Sequence, residues 1–385
     1  MFRSLFKSMF KSSHLLLAAA LAICVVLPAR SSAQSGGSAA GAVFVMTNAA
    51  DKNEVIAFKR ASDGSLEQGQ SFPTGGRGSG GVTDPLSSQG SLTLSQDRSL
   101  LFAVNAGSGN ISVFQVKGAN LFLVDKVPCG GSEPVSVAQH GNFVYVVNGG
   151  GASSVVGFTF GRDGRLKQIP GSLAYLSTGN SGPGSVAFSP DGQFLLVTEK
   201  LTGKIDAFHV QLDGTLAAIV TSPSSGPGLF SLTFAPSGLA ISTETGPAGG
   251  TNAGATSSYW VEPNSTLTPV SVSVPTLGAA TCWNAVTPDG RFVYTSNAAT
   301  GTISGFAIAS TGTLTALSGT IVGTNPAGST NLDLAISSDG KFLYTLNSGT
   351  GTVSIFEINQ DGTLASLGDA GDLSSSAGYN GIAAN

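Results

Sequence analysis

The chain has 385 residues, of which 10% are charged, against about 25% in a typical soluble domain, and 53 are glycine. Few charges, abundant glycine and no helical periodicity indicate an all-β domain with many tight turns. The 22 acidic residues outnumber the 18 basic residues and no basic run occurs, so we expect no nucleic acid or anionic lipid partner.

The N-terminus has the features of a signal peptide. A basic region (Arg3, Lys7 and Lys11) precedes an apolar run that is too short to span a bilayer. Small residues up to Ala33 predict cleavage after this residue. We therefore expect a signal peptide over residues 1–33 and a short linker over residues 34–40. The mature chain is predicted to be secreted or periplasmic, without membrane insertion.

From residue 41 onward the chain repeats itself about every 50 residues. The clearest unit begins at Ser185, and close relatives begin at Ala285 and Leu334. Each unit contains four short apolar or alternating runs separated by turn signals such as Asp-Gly. This pattern is typical of one four-stranded propeller blade, whose strands we label a to d from the inside outward.

Two landmarks give the number of blades. The end of strand b recurs seven times, at Asn48, Asn105, Asn148, Glu199, Glu244, Asn297 and Asn347. A strand-c aromatic, interpreted as packing between blades, recurs at Phe58, Phe114, Phe158, Phe208, Tyr259, Phe306 and Phe356. The sequence therefore predicts an all-β, seven-bladed β-propeller over residues 41–385, with four antiparallel strands per blade.

The ends of the repeat array predict how the ring closes. The first clear strand, from Gly41, is a strand b without a strand a before it. The last segment, Asn380–Asn385, resembles a strand a without a strand b after it. We expect this C-terminal strand to complete the first blade, which would remove the open sheet edges.

Candidate functional residues lie on the face formed by the b–c and d–a loops, which we call the top face. Its loops are the long ones, and function usually resides in such loops. Glu199 and Glu244 replace Asn on neighbouring blades, Lys200 follows the first of them, and Trp283 and Asp333 interrupt a series of small residues at the start of strand a. The carboxylates could supply a general base, hold a divalent cation such as Ca²⁺, or form a solvated acidic rim with Lys200.

Two further binding residues are predicted, and two kinds of site are disfavoured. Arg77 lies in the glycine-rich top-face loop Gly75–Gly81, and Tyr259 belongs to the strand-c aromatic series. After residue 33 only two histidines remain, His140 in an a–b turn on the opposite face and His209 within a strand c. A Ser-His-Asp triad or a histidine-rich zinc site is therefore not expected.

Several motifs resemble the seven-bladed lactonase family with YVTN-type repeats, which includes bacterial 6-phosphogluconolactonase. The segments TNAADKNEVIAF (47–58) and VNAGSGNISVF (104–114) carry this resemblance. The motifs VTEK (197–200), TE (243–244), SSY (257–259) and CW (282–283) are similar to those of a secreted, lactonase-like branch. The resemblance implies the propeller fold and a lactonase activity in carbohydrate metabolism.

The chain departs from this family at one motif. The family's enzymes resemble one another in a G-P-R-H stretch, followed by a Glu at the end of the next strand b. Here the matching stretch is Gly182-Pro183-Gly184-Ser185, followed by Glu199. The Glu is kept but the Arg and His are absent, so a phosphorylated lactone is expected to fit poorly.

Three hypotheses about function follow. The first is hydrolysis of a neutral or weakly charged lactone by a monomer without a cofactor, with Glu199 or Glu244 as the base. The second is a non-catalytic propeller that binds a glycan or a protein partner on its top face. The third is a metal-dependent form of the first, with Glu199, Glu244 and Asp333 as ligands of a cation such as Ca²⁺. The sequence leaves open whether the protein is an enzyme.

Overall fold

The computed structural model describes residues 40–248, 250–371 and 373–385. The predicted signal peptide and the linker up to residue 39 lie outside the described residues. Within those ranges, no helix has the length and apolar character needed to cross a membrane.

The described chain consists of strands joined by turns and loops. In chain order the strands are β1 (Gly41–Met46), β2 (Glu54–Arg60), β3 (Gln70–Pro73), β4 (Leu92–Leu94), β5 (Leu100–Asn105), β6 (Asn110–Lys117), β7 (Asn120–Pro128), β8 (Ser132–His140), β9 (Phe143–Gly150), β10 (Ser154–Phe160), β11 (Leu166–Gln168), β12 (Ala174–Tyr175), β13 (Pro183–Phe188), β14 (Phe194–Glu199), β15 (Lys204–His209), β16 (Val220–Pro223), β17 (Leu229–Phe234), β18 (Ala240–Glu244), β19 (Ala255–Val261), β20 (Leu267–Pro275), β21 (Thr281–Val286), β22 (Phe292–Asn297), β23 (Thr302–Ile308), β24 (Leu314–Thr324), β25 (Asn331–Ile336), β26 (Phe342–Asn347), β27 (Thr352–Ile358), β28 (Leu364–Ala370) and β29 (Ile382–Ala384).

These strands form seven antiparallel sheets. Blade 1 has the order β29-β1-β2-β3, and blade 2 contains β4 to β7. Blade 3 contains β8 to β12, because two short strands, β11 and β12, share the outer edge of β10. Blades 4 to 7 are β13–β16, β17–β20, β21–β24 and β25–β28. The predicted seven-bladed β-propeller is confirmed.

Adjacent blades are held together by buried side chains from strands b and c. All seven aromatic residues of the strand-c series are at most 1–2% exposed. Three strand-b tyrosines also donate their hydroxyl groups to the backbone of the following blade: Tyr145 to Gly214, Tyr294 to Gly362 at 2.8 Å, and Tyr344 to Gly64 at 2.9 Å. The packing interpretation of the aromatic series agrees with this arrangement.

The C-terminal strand closes the ring as predicted. β29 pairs with β1, with Val43 opposite Ala384 and Val45 opposite Ile382. The side-chain oxygen of Asn385 accepts a hydrogen bond from the Ala42 amide at 2.6 Å. Arg60, 1% exposed, donates to the carbonyl oxygen of Asn385 at 3.2 Å and pairs with a carboxylate of blade 7. Closure therefore combines strand pairing with side-chain hydrogen bonds.

The longest top-face connection lies between blades 1 and 2. It covers residues 74–91, since β3 ends at Pro73 and β4 begins at Leu92. Residues 82–89 of this connection, which we call the channel loop, turn inward over the central channel. Their contacts define the candidate site.

Candidate functional site

The channel loop is bonded to blades on several sides of the ring. The Ser88 hydroxyl donates to the carbonyl of Val135 in blade 3 at 2.7 Å. The Gln89 amide donates to Gly184 of blade 4 at 2.8 Å, and its side chain donates to Asn284 of blade 6 at 2.6 Å. A loop that reaches blades 3, 4 and 6 must cross the channel mouth, so it covers the channel at the top face.

Asp84 is the acidic residue of the channel loop. Its side chain is half-buried, and its Oδ1 accepts a hydrogen bond from the Asn380 amide at 2.9 Å. Burial raises the pKa of this carboxyl to about 7, although the positive charge of Lys200 acts in the opposite direction. Its backbone has a φ of +41°, a left-handed conformation that is unusual for a residue other than glycine. A residue that combines a strained backbone with a carboxyl pKa near neutrality is typical of a functional site.

Lys200 holds the channel loop from below. Its ammonium group donates to the carbonyl oxygens of Ser87 and Pro183, the latter at 3.1 Å. It also lies 5.4 Å from the centre of the Phe230 ring, within the range of a cation–π contact. Burial lowers the pKa of Lys200 to about 8, against the favourable charge of Asp84. Lys200 and Asp84 are therefore two partly desolvated groups of opposite charge, each of which favours the ionised form of the other.

A cavity of about 530 Å³, which we call the top pocket, opens beside this pair. Asp84, Cys282 and Trp283 line one side, and small residues of blades 6 and 7 form the rest, including Ala298, Ala299 and Gly301. The Trp283 indole donates to the Ser88 carbonyl at 2.9 Å and packs on Phe230. The hydroxyl of Ser329, also in the wall, is buried and has no hydrogen-bond partner among the described residues. A mainly apolar pocket with few polar groups is suited to a small ligand.

Asp333 lies in the channel beneath the loop. It lines a second cavity of about 390 Å³ that runs along the inner strands. Its carboxyl oxygens accept hydrogen bonds from the amides of Leu334 at 2.9 Å and Ile382 at 3.3 Å. Burial raises its pKa to about 7, since these hydrogen bonds do not compensate for the loss of water. Asp333 faces the channel and is not among the residues that line the top pocket.

The structure does not place Glu199 at the channel mouth. Its side chain is fully buried within blade 4. The carboxylate accepts hydrogen bonds from the backbone amide of Ser177 at 2.9 Å and from the Ser177 hydroxyl at 2.7 Å. It also accepts one from the Thr202 hydroxyl at 2.5 Å. Burial opposes ionisation, but hydrogen bonds from Thr202, Asp206 and Ser177 lower the pKa of Glu199 below its ordinary value. A buried carboxylate with these partners is not available to a substrate.

Glu244 is held in the same way in blade 5. The hydroxyls of Ser257 and Ser273 donate to its two carboxyl oxygens at 2.6 and 2.7 Å. It shares no hydrogen-bond partner with Glu199, so the structure does not bring the two carboxylates together. The alternative of a cation held by Glu199, Glu244 and Asp333 is also not supported: among residues 40–385 that the structure describes, no three His, Cys, Asp or Glu side chains are close enough to hold a metal ion.

Two other predicted binding residues lie away from the pocket. Tyr259 is fully buried between blades, and its hydroxyl accepts a hydrogen bond from the Ser225 amide at 2.9 Å. Arg77 is exposed, and its backbone amide donates to Ser108 in the turn between β5 and β6 of blade 2. Neither side chain lines the top pocket. Both were assigned from loop length and repeat position, which do not give the direction of a side chain.

Sequence reasoning missed the central residue of the site. Asp84 lies in the segment Thr-Asp-Pro-Leu of the long loop, in which only Arg77 was singled out. An acid next to Pro in a long irregular loop could have been noted, but its position over the channel follows from the hydrogen bonds of the loop to blades 3, 4 and 6. Asn380 was assigned only to ring closure, although it contacts Asp84.

Comparisons with known proteins agree with this architecture. Residues 49–156 match the family model described as lactonase, seven-bladed β-propeller. This match confirms the predicted resemblance over less than a third of the chain. No curated protein matches the chain.

Solved structures match over nearly the whole described chain. A candidate 6-phosphogluconolactonase from Bacteroides uniformis is 21% identical, with a TM-score of 0.65 over 89% of this chain and 99% of that one. The periplasmic gluconolactonase of Pseudomonas aeruginosa is 20% identical, with a TM-score of 0.64 over 86% and 98%. A protein from Lactobacillus plantarum is 17% identical, with a TM-score of 0.68 over 89% and 99%. At these identities the likeness shows the fold alone.

Proposed function

We propose that this protein hydrolyses a small, uncharged lactone in the top pocket, with Asp84 as the general base. The observation that carries the proposal is the Asp84 carboxyl, which lines the pocket beside Lys200 and has a pKa raised to about 7. A base with a pKa near the working pH combines a useful ionised fraction with a strong affinity for the proton.

In the proposed reaction, ionised Asp84 takes a proton from a water molecule as the water oxygen attacks the lactone carbonyl. The resulting tetrahedral intermediate collapses with cleavage of the ring C–O bond, and the proton passes to the leaving oxygen. No cofactor is needed for this chemistry.

The charges around the pocket favour an uncharged substrate. Lys200 is engaged by two backbone carbonyls, Asp84 is negative when ionised, and no arginine of the described residues lines the pocket. A phosphate group needs an arginine or several converging donors. We therefore propose a neutral sugar lactone or simple lactone as the substrate, and not a phosphorylated one.

The proposed place of action is outside the cytoplasm. The support is the N-terminal segment, in which basic residues, a short apolar run and Ala33 form the pattern of a signal peptide. A secreted or periplasmic enzyme would meet unphosphorylated lactones, in agreement with the charges of the pocket.

The test is hydrolysis of δ-gluconolactone, γ-butyrolactone and 6-phosphogluconolactone by wild type, Asp84→Asn and Glu244→Gln, corrected for spontaneous hydrolysis. We expect turnover of a neutral lactone and a loss of at least about 100-fold in kcat/KM for Asp84→Asn. Asparagine keeps the acceptor for Asn380, so the loop should stay in place. Glu244→Gln removes one of the two bases predicted from the sequence and should retain activity.

Two outcomes would contradict the proposal. Full activity in Asp84→Asn would exclude Asp84 as the base. Calorimetric binding of a neutral lactone or sugar without turnover by the wild type would favour the alternative of a non-catalytic binding propeller.

A further inference from the structure

Asn380 connects the closure of the ring to the top pocket. Its side chain is 1% exposed, and it lies just before β29. Its backbone amide donates to the Met46 carbonyl at 3.1 Å, and the Gly381 carbonyl accepts from the Met46 amide at 3.1 Å. These two bonds fix the backbone of Asn380 against the inner edge of blade 1, so its side chain projects from a rigid element.

The side-chain amide of Asn380 has one chemically sensible orientation. Its Oδ1 accepts a hydrogen bond from the Ser91 hydroxyl at 3.0 Å, and its Nδ2 donates to Asp84 Oδ1 at 2.9 Å. An ionised carboxylate only accepts hydrogen bonds, so a flipped amide would place two acceptors in contact. Ser91, Asn380 and Asp84 therefore form a directed chain of hydrogen bonds that ends at the carboxylate.

We infer that Asn380 is a positioning residue, which holds one oxygen of the Asp84 carboxylate so that the other faces the top pocket. This inference rests on the proposed function of Asp84. A base must be held within hydrogen-bond reach of the proton that it removes, and residues on rigid elements supply that precision. Asp84 belongs to a strained loop, and Asn380 gives it a fixed reference in the sheet.

The same hydrogen bond affects the ionisation of Asp84. Three titratable groups lie near this carboxyl. Lys200 and Asp333 interact with its charge, and Cys282 lies beside the pocket. Burial raises the pKa of Asp84, whereas the charge of Lys200, then the Asn380 hydrogen bond and then two backbone amides of the channel loop lower it. Removal of the Asn380 side chain therefore raises the pKa of Asp84, because fewer groups oppose the effect of burial. The fraction of Asp84 that is ionised at neutral pH then falls.

The experiment compares Asn380→Ala, the isosteric Asn380→Asp and the control Asn385→Ala in the full-length protein. Asn385→Ala removes a side-chain hydrogen bond to Ala42 in the same C-terminal segment without touching Asp84. The pKa of Asp84 is measured by a carboxyl ¹³C NMR titration, assigned with Asp84→Asn. We expect it to rise by about one unit in Asn380→Ala. A larger rise is expected in Asn380→Asp, because a second carboxylate then faces the first.

In lactone hydrolysis, both Asn380 variants should lower kcat by about tenfold or more with little change in KM, and the acid limb of the pH–rate profile should move upward. Asn385→Ala should change neither the pKa nor the profile, although it lowers stability. An unchanged Asp84 pKa in both Asn380 variants would overturn the inference. If the wild type hydrolyses no lactone, the proposed function fails, and the NMR titration alone still decides whether Asn380 controls Asp84.

Discussion

The residue at the end of strand b shows how one position of the repeat accepts different chemistry. In blades 2, 6 and 7 it is an asparagine whose amide donates to a strand-c serine: Asn105 to Ser112 at 2.8 Å, Asn297 to Ser304 at 2.8 Å and Asn347 to Ser354 at 2.6 Å. A glutamate cannot donate when ionised. Its partners must supply the hydrogens, as Ser257 and Ser273 do for Glu244.

In blade 4 a second acid supplies one of the hydrogens that the glutamate needs. Asp206 occupies the strand-c position next to Glu199, and the Ser177 amide donates to both carboxyl groups. Burial and the neighbouring Glu199 raise the pKa of Asp206 to about 7, while the pKa of Glu199 is lowered. Below about pH 7 the pair therefore keeps one proton between two carboxyl groups, because two neighbouring buried negative charges are unfavourable.

This shared proton predicts how stability depends on pH. Folding raises the pKa values of Asp84, Asp206 and Asp333 above the ordinary aspartate value of 3.8. The folded state then binds more protons than the unfolded state between about pH 4 and 7, so the free energy of unfolding falls as pH rises through this window. Asp206→Asn should reduce that slope by up to about 1.4 kcal/mol per pH unit.

The measurement is urea unfolding of wild type and Asp206→Asn at several pH values from 4 to 8. The control is Asp63→Asn, since the pKa of exposed Asp63 is lowered by the hydroxyl and amide of Ser65 and this group titrates below the window. It should leave the slope unchanged. A slope in Asp206→Asn equal to that of wild type would contradict the shared proton.

At the residue scale, the sequence predicted the surroundings of the site better than its chemistry. The sequence indicates Trp283, which lines the top pocket, and Lys200, which bonds to the channel loop at Ser87. Glu199 and Glu244 were assigned as bases because strand position is readable from the repeat. The direction of a side chain depends on partners in other blades, which the sequence does not locate. The equivalence of these glutamates with five asparagines was the signal for a structural role.

At the scale of the element, the channel loop is the feature that distinguishes this propeller mouth. The buried side chain of Leu86 belongs to the core cluster that blades 1, 2 and 3 share, while Lys200 bonds to the next residue. Loop length was visible in the sequence and favoured function. The inward path was not, since it depends on left-handed residues at Asp84 and Ser87 and on hydrogen bonds to distant blades.

Lys200→Met tests whether this lysine holds the loop. Methionine has a similar length but no charge and no donor, so the carbonyls of Ser87 and Pro183 lose their shared partner. We expect faster proteolytic cleavage within residues 82–89 and a further rise in the pKa of Asp84, because the charge of Lys200 lowers it. Lys167→Met, on the exposed strand β11, should cleave as wild type does. Equal cleavage rates in all three proteins would show that the loop is held without Lys200.

At the scale of the whole molecule, the repeat determined the architecture before any contact was known. Blade number, strand order and the closing strand followed from counting strand-b ends and from the two incomplete units at the termini. Each blade must bury both faces against its neighbours, which makes such patterns regular and readable. Insertions such as the channel loop do not follow the repeat. The sequence therefore predicts the face on which the candidate site lies, but not the residues that form it.

Closure of the ring by β29 is expected to contribute to the stability of the folded chain. Deletion of residues 382–385 removes β29 but retains Asn380, so it separates closure from the positioning of Asp84. The deletion exposes one edge of β1, whose residues Val43, Phe44 and Val45 are fully buried, and it removes the buried side chain of Ile382. Burial of one such side chain contributes about 1.5–3 kcal/mol. With the lost strand pairing, we expect the free energy of unfolding to fall by at least about 3 kcal/mol.

An open edge of buried strand also predicts concentration-dependent association, because unpaired backbone groups can pair with another chain. The measurements are urea unfolding and light scattering of the truncated and full-length proteins. Leu367→Ala on the outer strand of blade 7, where this side chain is 46% exposed, is the control and should stay within about 0.5 kcal/mol of wild type. A truncated protein that unfolds at the same urea concentration as the full-length chain would mean that the other strands of blade 1 hold the ring without β29.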